Sequence, residues 1–209
     1  MYKLQPDQFD PSVSQKNKLY DGIKRCADIT GALLGMIVAL PLIAVFGLLV
    51  RLETPGPVFY AQERLGKNGE KFNIYKIRSM VQDAEAHGAQ WADKEDSRIT
   101  KVGKFIRTTR IDELPQILNI LKGDMSIVGP RPEREVFAEE FEKDIPGFKW
   151  RLLVRPGLTG LAQVNGGYEN SPKEKLQYDL YYITHRSLVL DLKIMFLTIF
   201  VVFKGDGAR

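Results

Sequence analysis

From Ile29 to Val50 the chain carries no charge, with Asp28 before the run and Arg51 after it. Leu, Ile, Val and Phe dominate this stretch, and its twenty-two residues reach roughly 33 Å as a helix, enough for a bilayer core of about 30 Å. The run starts too late, is too long and lacks the small-residue exit of a removed signal peptide. Pro41 lies near its middle and predicts a kink, because proline removes a helical N–H and clashes with the preceding turn. Basic residues flank both ends: Lys16, Lys18, Lys24 and Arg25 before, then Arg51, Arg64 and Lys67 after. The positive-inside rule draws both ends to the cytoplasm. A helix bent at Pro41 that enters and leaves by one face satisfies that rule, provided the carbonyls freed at the kink find partners. A tilted span with a proline kink is the second reading, and a buried soluble helix the third.

The rest of the pattern predicts shorter elements. Residues 1–15 are polar, carry Pro6 and Pro11, and read as a loosely ordered tail. Pro55-Gly56-Pro57 ends the apolar helix. Two runs, Val58–Gln62 and Phe72–Ile77, flank Gly66-Lys67-Asn68-Gly69 and read as a β-hairpin rather than a phosphate loop, since no Gly-Lys-Ser/Thr follows. Asp83–Asp96 is polar and acidic, a surface helix and loop. Ile99, Val102, Phe105 and Ile106 mark one helix face, with Arg98, Lys101, Lys104, Arg107 and Arg110 on the remainder. Leu114, Ile117, Leu118 and Leu121 mark another helix, with Pro115 in its first turn and Gly123 at its end. Gly129-Pro130-Arg131-Pro132 reads as a rigid turn, and a helix over about Pro132–Glu142 places Phe137, Ala138 and Phe141 inward. Arg155–Gly167 is glycine-rich, compatible with a nucleotide-facing loop or with plain turns. Ser171-Pro172-Lys173-Glu174 is a capping signal for a helix to about Thr184. The last segment, Ser187–Lys204, has ten uncharged residues between Lys193 and Lys204, too few to span a bilayer, and reads as an interfacial or a core helix.

These elements add up to an α+β, mostly helical chain in three parts: a tail over 1–15, a membrane-anchoring helix over 16–54 kinked at Pro41, and a membrane-associated domain with the β-hairpin and amphipathic interfacial helices over 55–209. Composition narrows the chemistry. Thirty basic against 26 acidic residues give a net charge of +4, a mild bias toward anionic partners that does not choose among lipid, nucleotide and nucleic acid. One cysteine, Cys26, excludes an internal disulfide and a cysteine-based zinc site. His87 and His185 are the only histidines, so neither a histidine metal cluster nor a histidine-dependent triad is expected. His87 reads as a surface residue and His185 as a helix-end residue.

The candidate chemistry centres on Asp112-Glu113. The expected helix start places Asp112 at or beside an N-cap, where the dipole keeps a carboxylate ionised, as a nucleophile requires, and where free N–H groups attract phosphate. Arg107 and Arg110 reinforce both effects. Standing alone, an aspartate there is most simply a cap. Arg131, fixed between two prolines, has the rigidity that suits bidentate phosphate binding, or lies in solvent as part of a structural turn.

Several segments in order resemble one family. They are the anchor with its central proline, Pro55-Gly56-Pro57-Val58-Phe59, Gln62-Glu63-Arg64, Tyr75-Lys76-Ile77-Arg78-Ser79-Met80, Asp112-Glu113-Leu114-Pro115-Gln116, Val128-Gly129-Pro130-Arg131-Pro132-Glu133 and Arg155-Pro156-Gly157-Leu158-Thr159-Gly160. The chain resembles the bacterial monotopic phosphoglycosyl transferases, or bacterial sugar transferases, from about residue 18 to its end. The resemblance implies transfer of a sugar-1-phosphate from a UDP-sugar to undecaprenyl phosphate with release of UMP, the first membrane step of exopolysaccharide, capsule or O-antigen synthesis. It implies a covalent nucleophile at Asp112 and a requirement for Mg²⁺, with Asp112 and Glu113 as its expected ligands. Glu113 would hold the metal or position the incoming phosphate. Arg110, Arg131 and Arg78 are the expected phosphate-binding residues. The implied location is the inner face of the bacterial cytoplasmic membrane, with inner-leaflet phospholipid and downstream glycosyltransferases as further partners. Leu40 stands before Pro41 where many members carry serine. The sequence lacks the multi-span N-terminal region of long-form members, and Tyr178–Tyr182 with Leu190–Lys193 resemble members that transfer hexose-1-phosphate.

Two other classes stand against the enzyme. A non-catalytic, membrane-bound assembly partner would use the same arginines to recognise lipid phosphate. A membrane-tethered nucleic-acid binder is disfavoured by the weak charge and the lack of a nucleic-acid motif, so no nucleic-acid partner is expected.

Overall fold

The computed structural model of the chain describes residues 2–15, 18–84 and 96–204. Most of the polar segment expected between Asp83 and Asp96, His87 included, lies outside the described residues. The elements that position the site are α1 (Lys18–Glu53), the strands β1 (Phe59–Leu65) and β2 (Lys71–Ile77), α2 (Lys101–Thr108), a 3-10 turn over Ile111–Gln116, and α3 (Ile117–Lys122). After them come β3 (Ser126–Val128), α4 (Glu135–Asp144), β4 (Gly157–Thr159), α5 (Leu161–Val164), α6 (Pro172–His185) and α7 (Leu188–Lys204).

Helix α1 runs unbroken for 36 residues with Pro41 in its interior. Its buried positions, Tyr20, Asp28, Ala32, Ala39, Gly47 and Val50, form one stripe at helical spacing. The stripe is mostly small, so the helix lies close against its neighbours; a Cβ at Gly47 would stand 2.9 Å from a Val58 methyl. Polar ties fix it along its length. Tyr20 Oη and Lys24 Nζ each donate to Asp191 Oδ2 at 2.8 Å. Arg25 donates to the carbonyls of Ile120 and Leu121 at the end of α3, where unpaired C=O groups and the helix dipole favour a cation. Asp28 Oδ1 accepts from Ser126 Oγ and Ile127 N at 3.0 Å. Glu53 accepts from the first-turn N–H groups of Lys101 and Val102 in α2.

The opposite face of α1 is bare. Leu33, Leu34, Ile37, Val38, Leu40, Leu48 and Leu52 are all more than half exposed, and only 17% of the most apolar stretch of α1 is buried. A core helix of a soluble protein would be mostly covered, and uncovered apolar surface on this scale marks an interaction surface. By length and composition α1 can cross a membrane. Helix α7 repeats the arrangement. Ile194 and Asp191 are buried while Val189, Leu192 and Phe196 are exposed, so one face joins the core and the other is an uncovered apolar strip.

The hairpin forms as expected, antiparallel from Phe59↔Ile77 to Leu65↔Lys71. Its turn uses left-handed residues at Asn68 and Gly69, residue types that tolerate positive φ. The glycine-rich segment resolves into close backbone packing rather than an open loop. β4 lies parallel to β3, pairing Ser126 with Gly157 and Val128 with Thr159. A Cβ at Gly157 would stand 2.1 Å from Gly129 N, and one at Gly160 2.1 Å from Gly129 O. Helix α6 has the predicted capping box: Ser171 Oγ accepts from Glu174 N, and Glu174 Oε2 accepts from Ser171 N. It ends at His185, whose ring stacks on Tyr181 at 4.1 Å.

Two expectations are corrected. The loosely ordered tail is a docked strap. Phe9 is buried beside Trp150 (ring centroids 5.4 Å apart), Leu4 N donates to Gln177 O, and Lys3 pairs with Glu174 at 2.9 Å. The prolines shape two 3-10 turns here, and three apolar side chains, Tyr2, Leu4 and Phe9, supply packing that a reading from polarity overlooked. The inward face of α2 also differs, because Phe105 is 52% exposed and stacks on Phe46 of α1. Gly103 occupies the closest approach instead, where a Cβ would stand 2.0 Å from Ser79 O.

Gly157→Ala is expected to destabilise the fold by about 2–3 kcal/mol or more, because neighbouring backbone cannot yield as a side chain does. Denaturant unfolding of the purified variant checks this, with Gly69→Ala as a partner, since a Cβ at Gly69 meets nothing within 4 Å and carries only the cost of its positive φ.

Candidate active site

Asp112 and Glu113 sit in the 3-10 turn between α2 and α3. The turn begins at Arg110, whose φ of 61° is left-handed and uncommon for a residue with a side chain. That conformation reverses the chain after α2 and brings both carboxylates under the hairpin. The expectation of Asp112 at the N-cap of one helix reaching Leu121 is therefore corrected. The tighter 3-10 geometry holds Ile111–Gln116, and α3 starts only at Ile117. Pro115, which lacks an N–H, fits a turn as readily as a helix start. Asp112 lies in the first turn of the 3-10 element, two residues after its N-cap Arg110, and burial is the largest influence on its charge.

Both carboxylates are buried, 5% and 6% exposed, but their surroundings differ. Glu113 is held from two sides. Lys76 Nζ of β2 donates to Oε1 at 2.9 Å, and Arg131 Nη2 of the Gly129–Pro132 turn donates to the same oxygen at 2.5 Å. Arg131 Nη1 reaches Oε2 at 3.5 Å. Burial pushes the Glu113 carboxyl up, but Arg131, Lys76 and Arg110 outweigh it and hold the group well below the usual carboxylate range. Asp112 has Lys76 Nζ at 3.8 Å from Oδ2, and its carboxylate makes no hydrogen bond among the described residues. Burial raises its pKa above the ordinary value, with Lys76 opposing and the charge of Glu113 adding to the rise. Environment has split the pair, leaving one carboxylate fixed as an anion and the other desolvated, unspent and more basic.

Asp112 opens into a cavity of about 320 Å³ beneath the hairpin. β1 contributes Arg64, β2 contributes Lys76, and Arg78 follows directly after β2; α2 and the following turn contribute Arg107 and Arg110. Arg131 and Arg134 come next, then Arg151 and Lys175 from the C-terminal half. Among the described residues, nine cations thus face two carboxylates, Asp112 and Glu133. Such a cavity matches a polyanion bearing more than one phosphate.

Of the three expected phosphate-binding arginines, Arg110 and Arg131 line the cavity beside Asp112, with Arg131 anchored on Glu113. Arg78 also lines it, but Nη1 and Nη2 donate to the carbonyls of Pro55 and Thr54 at 2.6 and 2.8 Å. Its guanidinium is committed to the C-terminal end of α1 rather than offered to a ligand. Lys76 was overlooked as a site residue, although period-2 alternation along β2 puts it on the same face as Arg78. Arg151, Lys175 and Glu133 carried no local signal.

The bacterial sugar transferase profile matches residues 19–205. The chain belongs to the bacterial sugar transferase family. An Aeromonas hydrophila UDP-N-acetylgalactosamine-undecaprenyl-phosphate N-acetylgalactosaminephosphotransferase is 48% identical over 194 residues, 91% of this chain and 46% of that protein. The Escherichia coli UDP-glucose:undecaprenyl-phosphate glucose-1-phosphate transferase is 40% identical over 205 residues, 96% of this chain and 44% of that protein. The chain thus spans a little under half the length of these two relatives. A Rhizobium leguminosarum exopolysaccharide production protein is 39% identical over 186 residues and is matched over 93% of its length.

The raised pKa of Asp112 gives a pH signature for whatever reaction it performs. If Asp112 reacts as its anion, that form is lost as pH falls through the raised pKa, so the acid limb of kcat/KM should lie above the ordinary aspartate range. Lys76→Met removes the cation nearest Asp112 and should move the limb to higher pH. A limb at or below the ordinary range in both proteins would contradict the assignment.

Proposed function

We propose that this protein transfers a sugar-1-phosphate from a UDP-sugar to undecaprenyl phosphate, releasing UMP, with Asp112 as the covalent nucleophile. The observation that carries this reading is the carboxylate of Asp112, buried without a hydrogen bond among the described residues at the wall of a cavity rich in cations. Asp112 attacks the phosphorus that bears the sugar. The new aspartyl O–P bond forms as the bridging P–O bond breaks, and the electron pair leaves on the phosphate of UMP. Arg110 and Arg131 are placed to balance that charge. In the second half-reaction an oxygen of undecaprenyl phosphate attacks the same phosphorus, the aspartyl–phosphorus bond breaks, and the carboxylate is restored as the lipid diphosphate sugar departs.

A divalent ion fits this donor set. One carboxylate plus substrate phosphates is a usual arrangement for Mg²⁺, and Asp112 has oxygens that spend no hydrogen bond, whereas those of Glu113 are taken by Lys76 and Arg131. Asp112 is therefore the residue that would hold the ion, with Glu113 fixing the cations around it. When bound, Mg²⁺ supplies further neutralisation of the phosphates.

The uncovered faces of α1 and α7 support a membrane location. Both ends of α1 are tied to the same domain, Tyr20 to Asp191 and Glu53 to α2, although the helix is about 54 Å long. That favours an anchor whose ends share the cytoplasmic face of the inner membrane over one that crosses it. Relatives named for N-acetylgalactosamine transfer and for glucose-1-phosphate transfer place those two UDP-sugars first in a screen.

Asp112→Asn is expected to abolish Mg²⁺-dependent UMP release from every UDP-sugar the parent protein uses; undiminished release would refute the nucleophile. Lipid binding with no release by the parent, for any sugar nucleotide, would favour a non-catalytic assembly partner. For topology, a single cysteine placed at Ser12 in a Cys26→Ser background should react only from the cytoplasmic side of intact cells, and labelling from outside would rule out the shared-face anchor.

A further inference from the structure

Two carboxylates face the cavity and the proposed reaction uses one of them. Glu133 is the other. A diphosphate suits the cations beside Asp112 and is repelled by Glu133, so a ligand that fills this cavity must present something different there.

The placement of Glu133 is firm. Pro132 precedes it, its carbonyl accepts from Leu65 N at 3.0 Å, and its carboxylate lies between two guanidinium groups. Oε1 is 3.4 Å from Arg151 Nη1 and Oε2 is 3.8 Å from Arg64 Nη1. Neither carboxylate oxygen makes a hydrogen bond among the described residues. Arg151 is itself immobilised. Its Nε and Nη2 donate to buried Asp179 Oδ2 at 3.0 and 2.7 Å, and the Phe148 ring lies 4.9 Å from the guanidinium carbon. Nη1, on the Glu133 side, has no hydrogen-bond partner.

An ionised carboxylate only accepts. In a cavity whose charged lining is mostly donors, Glu133 is therefore a fixed acceptor waiting for donor groups. A metal ion is disfavoured there by the two guanidinium groups within 4 Å. Uncharged donors in pairs are what a sugar nucleotide carries away from its phosphates. We propose that Glu133 is a specificity-determining residue that accepts hydrogen bonds from a vicinal pair of hydroxyls on the sugar-nucleotide donor, with Arg151 and Asp179 behind it as positioning residues. The inference rests on the function proposed above. Ribose and the transferred hexose both carry such pairs, and the experiment separates them.

Binding calorimetry and UMP-release kinetics on the full chain compare the parent with Glu133→Gln, which preserves size. The ligands are UDP, 2′-deoxy-UDP, a UDP-sugar that the parent turns over, and the same UDP-sugar lacking one hexose hydroxyl. The variant is expected to bind the intact UDP-sugar about 10-fold or more weakly, since a charge-assisted hydrogen bond is lost, with KM raised to match and kcat little changed. If ribose is read, UDP binds the variant more weakly and 2′-deoxy-UDP binds both proteins alike; if the sugar is read, UDP and 2′-deoxy-UDP each bind both proteins alike and only the intact UDP-sugar loses affinity, the deoxyhexose analogue binding both alike. Equal losses for all four ligands, or lowered thermal stability with no change in affinity, would overturn the inference and leave Glu133 a structural tie between Arg64 and Arg151. A changed Mg²⁺ requirement with unaltered donor affinity would overturn it in favour of a metal ligand. If the parent binds no sugar nucleotide, the proposed function itself fails; turnover by the parent without hydroxyl coupling at Glu133 fails this inference alone.

Discussion

The site depends on the ion cluster around Glu113. A carboxylate buried to this degree is tolerable only if charged partners satisfy it, and here they come from two distant segments, Lys76 on the hairpin and Arg131 on the Gly129–Pro132 turn. The cluster therefore does two things. It closes the hairpin onto the 3-10 turn and the β3 turn, forming the cavity, and it fixes Glu113 as a permanent anion. Lys76 also reaches Asp112, at the longer distance of 3.8 Å, so the same cation tempers a carboxylate that it does not hydrogen-bond. The adjacent residues Asp112 and Glu113 thereby acquire opposite pKa shifts, and the unspent one is left facing the cavity.

The anchor belongs to the same construction. Asp28 of α1 accepts from both Ser126 and Ile127 of β3, and β3 leads directly into Gly129-Pro130-Arg131. Asp191, which receives Tyr20 and Lys24 of α1, also accepts from Tyr182, whose hydroxyl lies 3.1 Å from Val128 O in β3. Helix α1 is thus packed along the domain and braces the strand that presents Arg131. Its outer face, with that of α7, is left apolar and uncovered. The cation-rich cavity and the uncovered apolar faces are joined through one short strand, the arrangement that the proposed soluble donor and lipid acceptor would require.

Much of this was legible in the sequence wherever the signal was local. The uncharged run with its basic flanks gave α1, alternation around a glycine-bearing turn gave the hairpin, and Ser171-Pro172-Lys173-Glu174 gave the start of α6. Asp112-Glu113 and Arg131 could be singled out separately, from charge and rigidity, but that Arg131 pairs with Glu113 could not. The local geometry of the acidic pair was not, because the turn depends on a left-handed Arg110 that no glycine announces. The strap over residues 2–15 escaped because two prolines and many polar residues mask three apolar side chains whose partners lie more than 130 positions away. Glu133, Arg151 and Asp179 come together only through the packing of α6 on the turn after α4, and no spacing in the sequence encodes that contact.

The account stands or falls on a transient bond between Asp112 and phosphorus. Incubating the protein with a UDP-sugar donor and Mg²⁺ in the absence of undecaprenyl phosphate, then weighing the intact chain and its peptides, tests that bond directly. The account predicts a mass increase equal to one sugar phosphate, located on the peptide containing Asp112 and discharged when undecaprenyl phosphate is added. An unmodified chain under conditions where UMP is released, or an adduct on any other residue, would contradict it.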